Sequence, residues 1–202
     1  MPWCVLLILL LVAASSRAAE VFLIPEHNPK PIYPPGLQRA GFTGGVKVSF
    51  IVSADGAVSK VGILKSDHAE LSDAVKNALA QWRFKPWTVE GERPPEQEII
   101  APMTFGFDSP EGVNLWLKDL KCREFNSLLA HYPKHSWMDA APFHYVRGYL
   151  ASTFFQRQIP MEQRLAMIAK MNKRVPGIVM RCQKSPGLKY VTLLPEDIRK
   201  VL

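Results

Sequence analysis

No uninterrupted apolar run in the 202-residue chain reaches the roughly 18 residues that an ordinary membrane-spanning helix needs. Also missing are the GxSxG, HExxH, P-loop and GxGxxG patterns, so neither a catalytic residue nor a cofactor is expected. Cysteine is scarce, with three in the chain and no CxxC pair, which argues against a structural zinc site. His131, His135 and His144 lie close in sequence, but Pro133 breaks the helical spacing between the first two, and no metal is expected there. Asp139, in the same stretch, reads as a helix cap. Apolar residues make up 48% and charged ones 21%, a balance that builds a core and excludes wholesale disorder.

What the chain does contain begins with a targeting signal. Residues 3–14 are an apolar run, and Ser16 and Ala18 supply the small-x-small pattern of a signal-peptidase site, so residues 1–18 read as a signal cut after Ala18. The n-region lacks Lys and Arg. An uncleaved inner-membrane anchor is the rival reading, but about a dozen residues at ~1.5 Å rise cover only ~18 Å of a ~30 Å bilayer core. The expected location is the periplasm, and residues 19–30 form a short leader.

Export decides the cysteines. Cys4 lies within the signal, which leaves Cys122 and Cys182 as an even pair in an oxidising compartment. A disulfide between them is expected, with two separate buried thiols as the alternative. Closing a loop of that length stabilises by about 4 kcal/mol.

Charge divides the remainder. Residues 20–108 hold 9 basic and 11 acidic side chains, a net of −2, whereas residues 109–202 hold 15 and 7, a net of +8. Two units with different partners are expected.

In the first unit, Pro29, Pro31, Pro34 and Pro35 force extended backbone. Residues 36–40 can form one helical turn before Gly41. Val46, Val48, Phe50 and Val52 alternate with polar residues as in a half-buried strand, and Asp55-Gly56 supplies a turn into a second strand over residues 57–65. That second strand breaks phase once, which suggests a bulge. Leu71, Ala74, Val75, Ala78, Leu79 and Trp82 recur at helical spacing, with Ser66 or Asp67 as N-cap and Pro86 as terminator. Residues 96–107 form a last strand. Pro102 interrupts it, and since proline cannot donate to a ladder, this strand belongs at a sheet edge or bulges there.

Residues 109–202 change to helical spacing. One stripe holds Leu117, Leu120, Phe125, Leu128, Leu129 and Tyr132; a second runs from Val146 to Phe154, and a third from Met161 to Val175. Pro176-Gly177 is expected to stop or kink the third helix, and Pro195 to start a final short one. The fold class is therefore α+β: a small β-β-α-β domain over residues 31–108, then a basic, disulfide-stapled helical bundle over residues 109–202.

Residues 31–107 carry Tyr33-Pro34, the run Gly44-Gly45-Val46-Lys47-Val48-Ser49-Phe50-Ile51-Val52, Asp55-Gly56-Ala57-Val58, Trp82-Arg83-Phe84-Lys85-Pro86 and Ala101-Pro102-Met103-Thr104-Phe105. In that order and spacing they resemble the C-terminal domain of the TonB family. The resemblance implies a unit that takes up the short TonB-box peptide of outer-membrane transporters by adding it to an edge strand. Matching surfaces would be Lys30, Ile32 and Tyr33 on the extended segment and Glu98, Ile100, Met103 and Phe105 on the last strand. Full transducers have a membrane anchor and a long proline-rich spacer. Here the apolar segment is short and the spacer is lacking, so binding rather than pulling is expected, with an anchored transducer as the alternative.

The expected partner is an envelope protein, a transporter of the TonB-dependent class in particular, and a second copy pairing through the same edge stays open. A further alternative is an envelope-surface role, in which Lys170, Lys173, Arg174, Arg181 and Lys184 meet lipopolysaccharide or acidic glycan. Export disfavours nucleic acid.

Overall fold

A computed structural model describes residues 21–91 and 93–202. The proposed signal and its cleavage after Ala18 lie outside the described residues. No helix among those described is long and apolar enough to cross a membrane.

The first part of the chain runs β1 (Pro25–His27), α1 (Pro35–Ala40), β2 (Gly44–Ser53), β3 (Val58–Ser66), α2 (Ala69–Leu79), β4 (Arg83–Phe84) and β5 (Glu96–Phe105). The alternation read in the sequence places Val46, Val48, Phe50 and Val52 on one face of β2, all buried. Leu71, Val75 and Leu79 of α2 close over that face, and Phe84 and Phe105 complete the cluster. Asp55 Oδ1 accepts the Ala57 N–H in the turn after β2. Gly56 has φ of 82° there and lies against the Phe84 carbonyl, a position that a side chain would block.

Three strands form one antiparallel sheet in the order β3-β2-β5. The two flanks of β2 differ. Its pairing with β5 holds a single register through ten residue pairs, Gly44 with Phe105 to Ser53 with Glu96. Its pairing with β3 shifts register twice, where the sequence suggests one irregularity, and Lys60 at the second shift has φ of 50°.

β1 and β4 make a separate antiparallel pair. The stretch read as a leader is therefore partly strand: the Lys85 N–H donates to the Ile24 carbonyl, and Trp82 Nε1 donates to the Pro29 carbonyl at 2.9 Å. This engagement also ends α2 at Leu79 rather than at Pro86, because Arg83 and Phe84 are needed as strand. The N-cap of α2 is His68, whose Nδ1 accepts the Glu70 N–H; Asp67 instead accepts the Gly45 N–H.

The second part contains α3 (Val113–Asp119), α4 (Cys122–Leu129), α5 (Ala141–Leu150), α6 (Thr153–Gln158), α7 (Met161–Lys184) and α8 (Glu196–Val201), with 3₁₀ turns at Lys134–Asp139 and Tyr190–Leu193. Its core stacks Phe125 on Tyr190 with centroids 5.0 Å apart, and Phe143 meets both edge-on. The first apolar stripe is split into α3 and α4 because Leu120 and Cys122 bond to Tyr190 and Leu188 across the chain. α7 continues through Pro176, so the expected stop does not occur. Val175, Ile178, Val179 and Cys182 bury the opposite face on both sides of the proline, and Cys122 is joined to Cys182 by a disulfide. That bond ties the start of α4 to the last turns of α7.

Candidate peptide-docking edge

β5 is an outer strand of its sheet. Which of its backbone groups face outward follows from hydrogen bonding beyond the ladder's end. The Ala54 N–H donates to the Pro95 carbonyl at 2.8 Å, continuing the same register. Hydrogen-bonded pairs alternate along an antiparallel ladder, so even-numbered residues of β2 bond to odd-numbered residues of β5. Lys47 opposite Pro102 is then a non-bonded pair, and the Pro102 nitrogen faces the open side. The proline thus costs the β2–β5 ladder nothing.

The outward-facing groups are the N–H and C=O of Glu96, Glu98, Ile100 and Thr104, together with the carbonyl of Pro102. No backbone partner meets their N–H groups among the described residues. The side chains alternate as well. Glu98, Ile100, Pro102 and Thr104 are exposed, with Ile100 at 56%, whereas Ile99, Ala101 and Met103 pack against the core cluster. Lys60 reaches Glu96 at 3.2 Å over the exposed face, leaving Glu98 as the unpaired acid along the edge among the described residues.

The other positions expected at the site separate into two groups. Lys30 and Ile32 lie on the extended segment after β1, and Ile32 is 82% exposed. Tyr33 is half-buried: its hydroxyl donates to the Phe42 carbonyl, its ring meets Phe105 edge-on at 5.4 Å, and burial pushes its pKa up to about 12. Phe105 is itself buried and serves the core. Between this segment and the end of β5 lies a groove of about 330 Å³ lined by Asn28, Lys30, Pro31, Trp82, Met103 and Phe105. A second, of about 390 Å³, separates Lys30 and Ile32 from Asp73 and Asn77 of α2 and from Gln81 just after it. The extended segment is therefore a ridge between two furrows. No periodicity marked it, but the proline spacing did.

The helical part meets the sheet part at α1 and at the connection after β5, away from Glu98 and Ile100. Arg39 forks onto Asp139, Asn172 Nδ2 donates to the Arg39 carbonyl at 2.7 Å, and Phe107 packs on His144. Asp139 is thus an ion-pair partner and not a helix cap. Beneath it Arg147, 1% exposed, donates to Asn172 Oδ1 and to the Met138 carbonyl, and burial lowers its pKa to about 10. Burial and then Arg147 lower the pKa of His144. No group of three or more His, Cys, Asp or Glu side chains gathers at metal-binding spacing among the described residues.

On α7, Lys170 is paired with Asp197 at 3.2 Å. Lys173, Arg174 and Arg181 surround a shallow depression, and Lys184 lies in the last turn of the helix.

Residues 29–107 match the family described as the Gram-negative bacterial TonB protein C-terminal. This segment is a TonB C-terminal domain, and the residues beyond it lie outside that match. Protein TonB of Pseudomonas aeruginosa PAO1 is 39% identical over 63 residues, covering 31% of this chain and 18% of that protein. Protein TonB of Xanthomonas campestris pv. campestris B100 is 34% identical over 95 residues, covering 46% and 42%. The solution NMR structure of the Pseudomonas aeruginosa TonB CTD aligns at 26% identity with a TM-score of 0.39, covering 46% of this chain and 94% of that one. The chain spans less than half the length of these curated relatives.

Proposed function

We propose that the chain is a periplasmic adaptor that binds an extended segment of an envelope protein along β5, and that it works by binding rather than catalysis. Residues 31–108 form the binding domain in this reading, and residues 109–202 a helical domain behind it. The supporting observation is the contrast between the two sheet edges. β5 keeps one register with β2 over ten pairs and carries outward N–H groups with no backbone partner among the described residues; β3 is twice bulged. Bulges discourage strand addition, whereas a regular open edge invites it. The matching segment's family makes a transporter of the TonB-dependent class the partner to test first.

The test is crosslinking in living cells from a photoreactive residue at Ile100, whose side chain is exposed beside the free N–H groups. Recovery of an outer-membrane transporter supports the reading. Recovery of only a second copy of the chain shows that the edge is used for dimerisation, and recovery of the chain's own helices removes the proposal.

A further inference from the structure

The cations of α7 occupy one side of the helix. At ~100° per residue, Lys173, Arg174, Arg181 and Lys184 fall within an arc of about 100°, with Gly177 near its middle and no acid inside it. The buried residues Met171, Val175, Ile178 and Cys182 centre well outside this arc, so the basic arc faces solvent. Among the described residues none of the four is in an ion pair, whereas Lys170, Lys189 and Lys200 each have a carboxylate. Between Lys173, Arg174 and Arg181 lies a depression of about 380 Å³, lined also by Gly177, Ile178 and Leu193. A methyl placed on Gly177 would meet nothing within 4 Å, so the depression is open at its centre. Met180, 53% exposed, lies ~20° outside the arc on the Lys173 side.

We infer that this face docks the chain onto a phosphate-bearing lipid surface. The charges extend over ~16 Å of helix axis and do not converge, so they do not form a cradle for one phosphate. The helix's own N–H groups are already used within α7. An array of this kind matches a partner that repeats its phosphates in a plane, and exposed Met180 at its margin suits a lipid headgroup layer. The net charge of +8 over residues 109–202 draws the same end of the chain toward an anionic surface. This inference is independent of peptide binding at β5.

The test is co-sedimentation of the full chain with phosphatidylcholine vesicles, with and without phosphatidylglycerol. Binding is expected only with the anionic lipid and should weaken as salt rises. At about 1 kcal/mol per cation, a variant combining Lys173→Gln, Arg174→Gln and Arg181→Gln should bind roughly a hundredfold more weakly. Gly177→Glu puts a carboxylate into the open depression without touching the core and should also lose affinity, which keeps the test valid if the triple variant folds poorly. Equal binding to neutral vesicles, or anionic binding unchanged in Gly177→Glu, overturns the inference. So does affinity for duplex DNA or inorganic phosphate with none for vesicles.

Discussion

Arg39 and Asp139, one hundred residues apart, meet as a two-point ion pair: Nε lies 2.7 Å from Oδ1 and Nη2 2.6 Å from Oδ2. One belongs to the turn of helix before β2 and the other to the 3₁₀ segment before α5. The pair, with the bond from Asn172 to the Arg39 carbonyl, fixes the helical part against α1. The arrangement leaves the β5 edge without a backbone partner among the described residues.

The pair gives acid sensitivity a defined sign. Hydrogen bonding and charge from Arg39 hold the Asp139 carboxyl below its ordinary value. Its contribution is therefore fully present above the ordinary carboxylate range and disappears as pH falls through the lowered value. Both side chains are partly exposed, so the contribution is no more than about 1 kcal/mol after screening. Chemical unfolding of Asp139→Asn should show a deficit of that size near neutral pH, shrinking to nothing in strong acid.

Gly41 is expected to tolerate no side chain. It ends α1 with φ of 75°, and a Cβ there would run into Ile168 of α7. Gly41→Ala should lower stability by about 1–2 kcal/mol through the left-handed backbone alone. The contact adds to this, and amide exchange of α1 should accelerate.

Reduction of Cys122–Cys182 removes a bond closing a 60-residue separation and should cost the helical part about 4 kcal/mol. Unfolding followed separately by Trp82 in the sheet part and Trp137 in the helical part should then show the helical signal lost at lower denaturant.

Pro176 is the exposed exception inside a 24-residue helix, and it leaves the Asn172 carbonyl without its helical donor. Pro176→Ala restores that bond and should raise stability by about 1–3 kcal/mol, read as a higher unfolding midpoint.

Much of the sheet part was legible because its signals are local. Val46 to Val52 alternate over a buried face, Asp55-Gly56 makes a tight turn, and Pro102 marks an outer strand. Features set by distant partners were not. β1 and β4 are too short for any period to show, and each exists because the other pairs with it. The split between α3 and α4 comes from residues 188–190. The persistence of α7 past Pro176 comes from burial on the opposite face, and the role of Asp139 from Arg39. Of the candidate site, Glu98 and Ile100 on the outer strand were readable from the proline, while the inward placement of Met103 and Phe105 and the half-burial of Tyr33 are set by packing.

The most direct measurement is the affinity of the full chain for a synthetic TonB-box peptide after proline is placed at outward positions of β5. Ile100→Pro and Thr104→Pro each delete an N–H that faces away from β2, so the sheet should melt as before. Losing one ladder bond of about 1 kcal/mol should weaken binding about fivefold for each. Unaltered affinity in the correctly folded double variant would contradict strand addition at this edge.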